Sequence, residues 1–328
     1  MKPLVGNAAA GAAFRAAMTG ATLHHAWLLA GPGGVGKAGF ARAAAARMLA
    51  EAAGEAGLDG DFDVPAESPT AALIAAGSHP DYRVLTRLPK DPEKKPDELA
   101  RSIPIKQIRD LIPMFATTPS MSSRRVVVID SIDEVERPGA SNALLKNLEE
   151  PPAGTIFLLV SHAPGRLLPT IRSRCRLLRF EPLDAAEMRE AIIAERPDAT
   201  ADEIAALVRA GGGSPGRSLR YAGLDLAGID MALAEIARDG DRSNRQRVRL
   251  AKALSAKAAQ PRYEAFLDRA PSFIAELSPL RFGDDLRRVL DAYADARELA
   301  AVARGLSLDG QGTVLEMAGI VARLARKP

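Results

Sequence analysis

The stretch Trp27-Leu-Leu-Ala-Gly-Pro-Gly-Gly-Val-Gly-Lys37 decides the fold. It closes an apolar run, Ala26 to Ala30, and opens onto a helical pattern from Ala38 to Ala50. Gly31, Gly36 and Lys37 fit the spacing G-x-x-x-x-G-K of a phosphate loop. Glycines here, Gly33 and Gly34 included, let backbone N–H groups curl around phosphate oxygens, and the following helix adds its positive end. Lys37 would reach the terminal phosphates. The alternative is a glycine-rich turn with a chance lysine, and the order strand, loop, helix speaks for the phosphate loop.

Three further short runs extend the pattern: Val126 to Ile129, Thr155 to Val160, and Cys175 to Phe180, the last broken by Arg176 and Arg179. Apolar runs without alternation suit parallel strands buried on both faces. Helical patterns such as Ser141 to Leu148 lie between them, which predicts a parallel sheet with helices on both faces. From about Ala50 to Pro104 glycine, aspartate, proline and lysine are frequent, most of all in Leu88-Pro-Lys-Asp-Pro-Glu-Lys-Lys-Pro-Asp-Glu98. That segment reads as an insertion of exposed loops around one short strand near Tyr82 to Leu85. After Phe180 only helices are expected, broken at Arg196-Pro, Gly211 to Gly216, Gly240-Asp and Ser278-Pro. The predicted division is an α/β domain over 1–180, a small helical domain over 181–225 and an all-helical domain over 226–328.

Composition narrows the function classes. The chain has 328 residues, 47% hydrophobic and 26% charged, with a net charge of +3. Aromatics at 4% argue against a stacking platform for unpaired bases. A single cysteine, Cys175, rules out a disulfide framework and a multi-cysteine zinc site. The opening Met1-Lys-Pro-Leu-Val-Gly lacks a long apolar region, so no signal peptide is expected, nor any membrane span. These readings together predict a cytoplasmic protein.

The residues for ATP hydrolysis are incomplete. Ala38 follows Lys37 where the motif needs Ser or Thr, and alanine has no oxygen for Mg²⁺. Asp130 ends an apolar strand, at the sheet edge where ligands bind. An active ATPase of this class carries an acid next, to orient the attacking water; here it is Ser131. Asp133 and Glu134 follow, as substitutes for that acid or as first-turn helix acids favouring the dipole. Hydrolysis is expected to be crippled.

At Asn142-Ala-Leu-Leu-Lys-Asn-Leu-Glu-Glu-Pro-Pro152 and Leu168-Pro-Thr-Ile-Arg-Ser-Arg-Cys175 the sequence resembles the clamp-loader family of AAA+ proteins. With His25-Ala-Trp-Leu-Leu-Ala-Gly-Pro32 and His79-Pro-Asp81 it is similar to the bacterial delta-prime subunits of DNA polymerase III clamp loaders in particular. The resemblance covers roughly residues 4 to 222. It implies an AAA+-like P-loop domain, a helical lid and an all-α collar.

By that resemblance Arg174 is an arginine finger that enters a neighbouring subunit's ATP site. Guanidinium suits this, being permanently charged with a fork that matches phosphate oxygens; the alternative is a structural salt bridge. The resemblance further implies a degenerate nucleotide site of Gly31, Gly33, Gly34, Gly36, Lys37 and Asp130. Ser161 would be its sensor-one residue and Arg217, in Gly213-Ser-Pro-Gly-Arg217, its sensor-two residue, unless Arg217 only caps a helix or pairs with an acid. The helix of Lys106 and Arg109 corresponds to one near the DNA-facing wall, and a solvated helix face is the alternative. Thr117, Thr118, Ser120 and Ser122 are candidate phosphate donors or a plain turn. Cys175 reads as a small core residue, and His162 as a loop histidine.

Many clamp-loader subunits carry a small zinc module before His79. This chain has no cysteine there, so no zinc is expected. No cofactor is required, and ATP or ADP would be held without turnover. The implied partners are tau/gamma and delta subunits, the sliding clamp and primed DNA through its backbone. Two rivals remain: a tau/gamma-type ATPase, which needs Ser or Thr at 38 and an acid at 131, and a free-standing AAA+ DNA-processing protein.

Overall fold

The computed structural model describes residues 5–20, 23–91, 93, 95–306 and 308–325. Five of its strands make one parallel sheet: β1 (Ala26–Ala30), β2 (Tyr82–Thr86), β5 (Arg125–Asp130), β6 (Thr155–Ser161) and β7 (Arg176–Arg179), in the order β2-β5-β6-β1-β7. The three central strands β5, β6 and β1 are buried almost throughout. Apolar cover on both faces explains why their sequences do not alternate.

The chain divides into two compact units. The first holds the described residues up to Met188 together with Gly213–Gly216. On one face of its sheet Leu28, Ala30, Val127, Ile129, Phe157 and Leu159 pack in one core with α4 (Ile105–Arg109), α6 (Gly139–Glu149) and α7 (Pro169–Arg172). The alternate residues point the other way, toward α1 (Ala8–Thr19) and α2 (Lys37–Ala52). There Phe14, Trp27, Phe40, Phe62 and Phe180 form a chain of mostly edge-to-face ring contacts 4.9–6.2 Å apart.

The expected insertion is more ordered than loops around one strand. Ser68 caps α3 (Pro69–Ala75), its hydroxyl accepting the Ala71 N–H at 3.2 Å, with Pro69 at the first helical position. β3 (Pro89–Asp91) and β4 (Lys95–Leu99) form an antiparallel hairpin, tied by an ion pair between Lys90 and Glu98. Cross-strand pairing of opposite charges lets so polar a sequence form strands. Pro92 and Lys94 lie outside the described residues, as do residues 1–4. A four-residue helix, α5 (Ile112–Phe115), completes this unit ahead of β5.

The second unit holds Arg189–Gly212 and the described residues from Arg217 on. Its helices are the end of α8 (Ala185–Glu195), α9 (Ala201–Gly211), most of α10 (Pro215–Arg220), α11 (Leu226–Asp239), α12 (Arg245–Leu254), α13 (Gln260–Glu276), α14 (Gly283–Leu306) and α15 (Gly310–Ala322). Ile229, Leu233 and Ile236 of α11, Phe266 and Ile274 of α13 and Val314, Met317 and Val321 of α15 are buried. Thr200 caps α9, and Gly212 ends it in the left-handed region at φ 54°. Among the described residues no helix is long and apolar enough to cross a membrane.

Candidate nucleotide loop and arginine site

Parallel register places the ends of β1, β5 and β6 side by side: Ala30 opposite Ser161, and Asp130 opposite Val160. Gly31 to Lys37 leave this carboxyl edge. Only glycine fits at Gly31, because a Cβ there would stand 2.1 Å from the Phe180 carbonyl oxygen. Gly36 takes φ 96° and turns the chain into α2. Gly33 and Gly34 are exposed at the tip, Gly34 at φ 78°.

Lys37 folds back on its own loop. Its Nζ donates to the Gly31 carbonyl at 2.7 Å and to the Pro32 carbonyl, and the residue is 2% exposed. Burial pulls its pKa from the ordinary 10.5 down to about 8, against the opposing pull of the Asp133 and Asp130 carboxylates. Arg42 of α2 stands 3.7 Å from Asp130.

The acids after β5 have other partners than a water. Residues Ile132–Glu134 form a single 3-10 turn rather than the start of a helix. Asp133 accepts from the Ser161 hydroxyl at 2.8 Å and from the His162 backbone N–H, so it braces the end of β6. Glu134 pairs with Arg87 at 2.9 Å. Ser131 is 2% exposed and its Oγ has no hydrogen-bond partner. His162 faces the loop, and burial followed by the Lys37 charge lowers its pKa.

A nucleotide's phosphates suit the glycine backbone and Lys37, but the groups that turn it over do not fit. Position 38 offers a methyl group to a metal, and position 131 a hydroxyl where a carboxylate must orient water. No hydrolytic step follows from these side chains. Among the described residues no group of three or more His, Cys, Asp or Glu could hold a metal ion.

Sequence reasoning read Gly213 to Arg217 as a sensor-two turn but missed the bonds by which it holds the loop. Ser214 Oγ donates to the Gly33 carbonyl at 2.9 Å, and the Gly216 N–H donates to the Gly34 carbonyl at 2.9 Å. A Cβ on Gly216 would come within 2.9 Å of Gly34 Cα, so this glycine permits the approach. The contact joins residues 181 apart in sequence, and only the Gly-Ser-Pro-Gly turn itself was visible beforehand. Arg217 begins the second unit's share of α10.

Arg174 is not part of this edge. It lies just ahead of β7, whose Arg176 is in register with Trp27, so it stands at the amino end of the sheet, opposite the loop. It is partly exposed, pairs with Glu149 at the end of α6 at 2.7 Å and donates to the Thr170 carbonyl at 2.9 Å. Neighbouring Cys175 has its thiol pushed up to about 12 by burial, which makes it inert. Lys106 and Arg109 are exposed on α4, Lys106 beside Asp110 at 3.1 Å. Thr117 to Ser122 form a committed turn: the Ser120 and Met121 N–H groups donate to Asp81, and Thr117 Oγ1 donates to the Met114 carbonyl.

Comparison with known proteins is consistent with these features. The model of the family described as DNA polymerase III, delta subunit matches residues 6–184. DNA polymerase III subunit delta' of Pseudomonas aeruginosa is 39% identical over 191 residues, 58% of this chain and 53% of that one. Its counterpart from Escherichia coli K12 is 34% identical over 147 residues, 45% of this chain and 41% of the other. DNA polymerase III subunit gamma/tau of Mycobacterium tuberculosis is 31% identical over 229 residues, 69% of this chain and 37% of that one. The chain thus spans about half the length of the delta' relatives it matches. The family match covers more than half of the chain, including the loop, the acids after β5 and the Ser-Arg-Cys arginine, and by it the chain belongs to the DNA polymerase III delta subunit family.

Proposed function

We propose that this chain acts as a delta-prime subunit of a DNA polymerase III clamp loader, assembling with tau/gamma and delta subunits to place the sliding clamp on primed DNA. In this reading it is a non-hydrolysing member of the ring that offers Arg174 to a neighbour's ATP. The carrying observation is the separation of Arg174 from the chain's own loop, at opposite ends of one parallel sheet. A guanidinium so placed can meet only a nucleotide that belongs to another molecule. Glu149 holds it ready, and this pair would open when the partner's phosphates arrive. ATP or ADP at the chain's own loop is held without turnover and without need of a zinc site. Lys106 and Arg109 would add contacts to the DNA backbone, without sequence preference. The tau/gamma-type alternative finds no support at positions 38 and 131.

The test is single-turnover ATP hydrolysis by the complex reconstituted with clamp and primed DNA. Arg174→Ala should lower the rate at one site by about 10³-fold, and Arg174→Lys should rescue poorly, because an ammonium lacks the planar fork. Gel filtration should show both variants still assembled. The isolated chain should stay well below ~1 s⁻¹. Full activity in both variants would make Arg174 a structural residue, and robust turnover by the isolated chain that Lys37→Ala abolishes would make this subunit a motor.

A further inference from the structure

Between Asp241 and Glu264 the chain carries Arg242, Arg245, Arg247, Arg249, Lys252, Lys257 and Arg262 and no acid at all. Most of this run forms α12 and its flanks. Leu250, Ala251 and Leu254 bury the inner side of that helix, which packs on α15. Arg245, Arg249 and Lys252 fall on the outer side and are exposed. At 100° per residue their positions share a sector of about 60°, and they span about 10 Å of helix axis. Arg242 and Lys257, also exposed, continue the charge beyond either end.

Most of the other arginines in this unit hold carboxylates, among them Arg238 with Asp239, Arg269 with Asp230 and Glu276, Arg304 with Asp268 and Arg323 with Asp295, and within the run itself Arg247 holds Asp241 and Arg262 holds Asp225. Among the described residues the five exposed cations on and beside α12 form no ion pair. Glu316, the acid on α15, is not paired with them either. Asp241, next to the stripe, is buried and spent on the Gln246 and Arg247 N–H groups and the Arg247 guanidinium. The stripe is therefore uncompensated positive charge on a rigid element.

We propose that the outer face of α12 binds the phosphate backbone of duplex DNA, at a site separate from Lys106 and Arg109 of the first unit. About 10 Å of axis meets roughly three phosphates of one strand, the same number as the cations in line. Residues 242–261 contain no Phe, Trp or Tyr, so the face has no platform for unstacked bases, and that selects duplex over single strands. The contact carries no sequence information.

Binding of the full chain alone to a short mixed-sequence duplex, followed by fluorescence anisotropy between roughly 50 and 200 mM salt, tests this without any partner subunit. Its failure would leave the proposed role of Arg174 untouched. The triple variant Arg245→Ala/Arg249→Ala/Lys252→Ala should weaken binding at least about tenfold at low salt and flatten the log–log salt slope by about 2.7, or 0.9 per lost contact. The charge-keeping Arg245→Lys/Arg249→Lys variant should retain the slope, and Lys106→Ala/Arg109→Ala should leave the α12 contribution intact. The proposal falls if wild type fails to bind duplex, or if the triple variant keeps the full slope. It falls too if the charge-keeping variant loses binding as completely as the triple one, or if a single strand or polyglutamate of equal charge binds as tightly as the duplex.

Discussion

Lys37 shows how the surroundings of a single residue set the cost of its charge. In a working phosphate loop the ammonium is balanced by phosphates and metal-linked acids. Here its own loop carbonyls receive it, Asp133 is taken up by Ser161 and His162, and burial makes the charge costly. Because the folded pKa of about 8 lies below the ordinary 10.5, the unfolded chain binds more protons between those values. The penalty is full below pH 8 and fades toward 10.5, so the wild-type chain gains stability from this residue as pH rises. Lys37→Met removes the penalty and leaves the Gly31 and Pro32 carbonyls to water. Urea unfolding should find the variant more stable at pH 7, by about 2 kcal/mol, with the advantage shrinking from pH 8 to 10.5. An advantage constant across that range would mean that the lysine is comfortably charged in the fold.

At the scale of elements, what could be read in the sequence was local and what escaped was long-range. The apolar runs at 26–30, 126–129, 155–160 and 175–180 became β1, β5, β6 and β7 within a residue or two; the first three lie in buried strands, where apolar runs go unbroken, while β7 is mostly exposed and carries Arg176 and Arg179. The glycine spacing at 31–36 gave the loop, because a positive φ or a missing Cβ is written in the residue type itself. α1 went unread, since its alanine-rich run has no strong periodic marker, and the β3–β4 hairpin was hidden by its charge. His79-Pro-Asp81 was noticed only as a family mark, and its physical role is an anchor between elements. Asp81 leads into β2, accepts from Ser120 at 2.8 Å and Met121 at 2.9 Å, and lies 3.7 Å from Arg125 at the start of β5. Both charged residues are 1% exposed. Asp81→Ala would strand a buried guanidinium and two N–H groups, and should cost about 3–5 kcal/mol in denaturant unfolding. Asp81→Asn, which keeps an acceptor, should cost about 1–3 kcal/mol. Equal small losses in both would place the Arg125 charge in contact with water instead.

For the molecule as a whole, the two units are not two consecutive lengths of chain. After Met188 the chain leaves the α/β unit, and it returns there for four residues only, Gly213–Gly216. Those four supply the Gly213 carbonyl to the Leu183 N–H at 2.9 Å, the Ser214 hydroxyl to Gly33 and the Gly216 N–H to Gly34. The glycine loop after β1 thus depends on residues that a sequence-based cut near 180 removes, although the sheet does not. A fragment ending at Met188 should keep β1, β5 and β6, because their cores come wholly from earlier residues. Its loop should lose two hydrogen bonds, those from Ser214 to Gly33 and from Gly216 to Gly34, worth about 1 kcal/mol each. Hydrogen exchange is the fitting measurement, since it resolves local opening from global unfolding. Amides of Gly33 to Lys37 should exchange at least about tenfold faster in the fragment than in the intact chain, which corresponds to about 1.4 kcal/mol. Ser214→Ala in the intact chain should show a smaller change confined to the same amides, because it removes one bond and keeps the returning backbone. Equal protection of the loop in fragment and intact chain would mean that the glycine segment holds its shape alone, and that the returning turn packs there without bracing it.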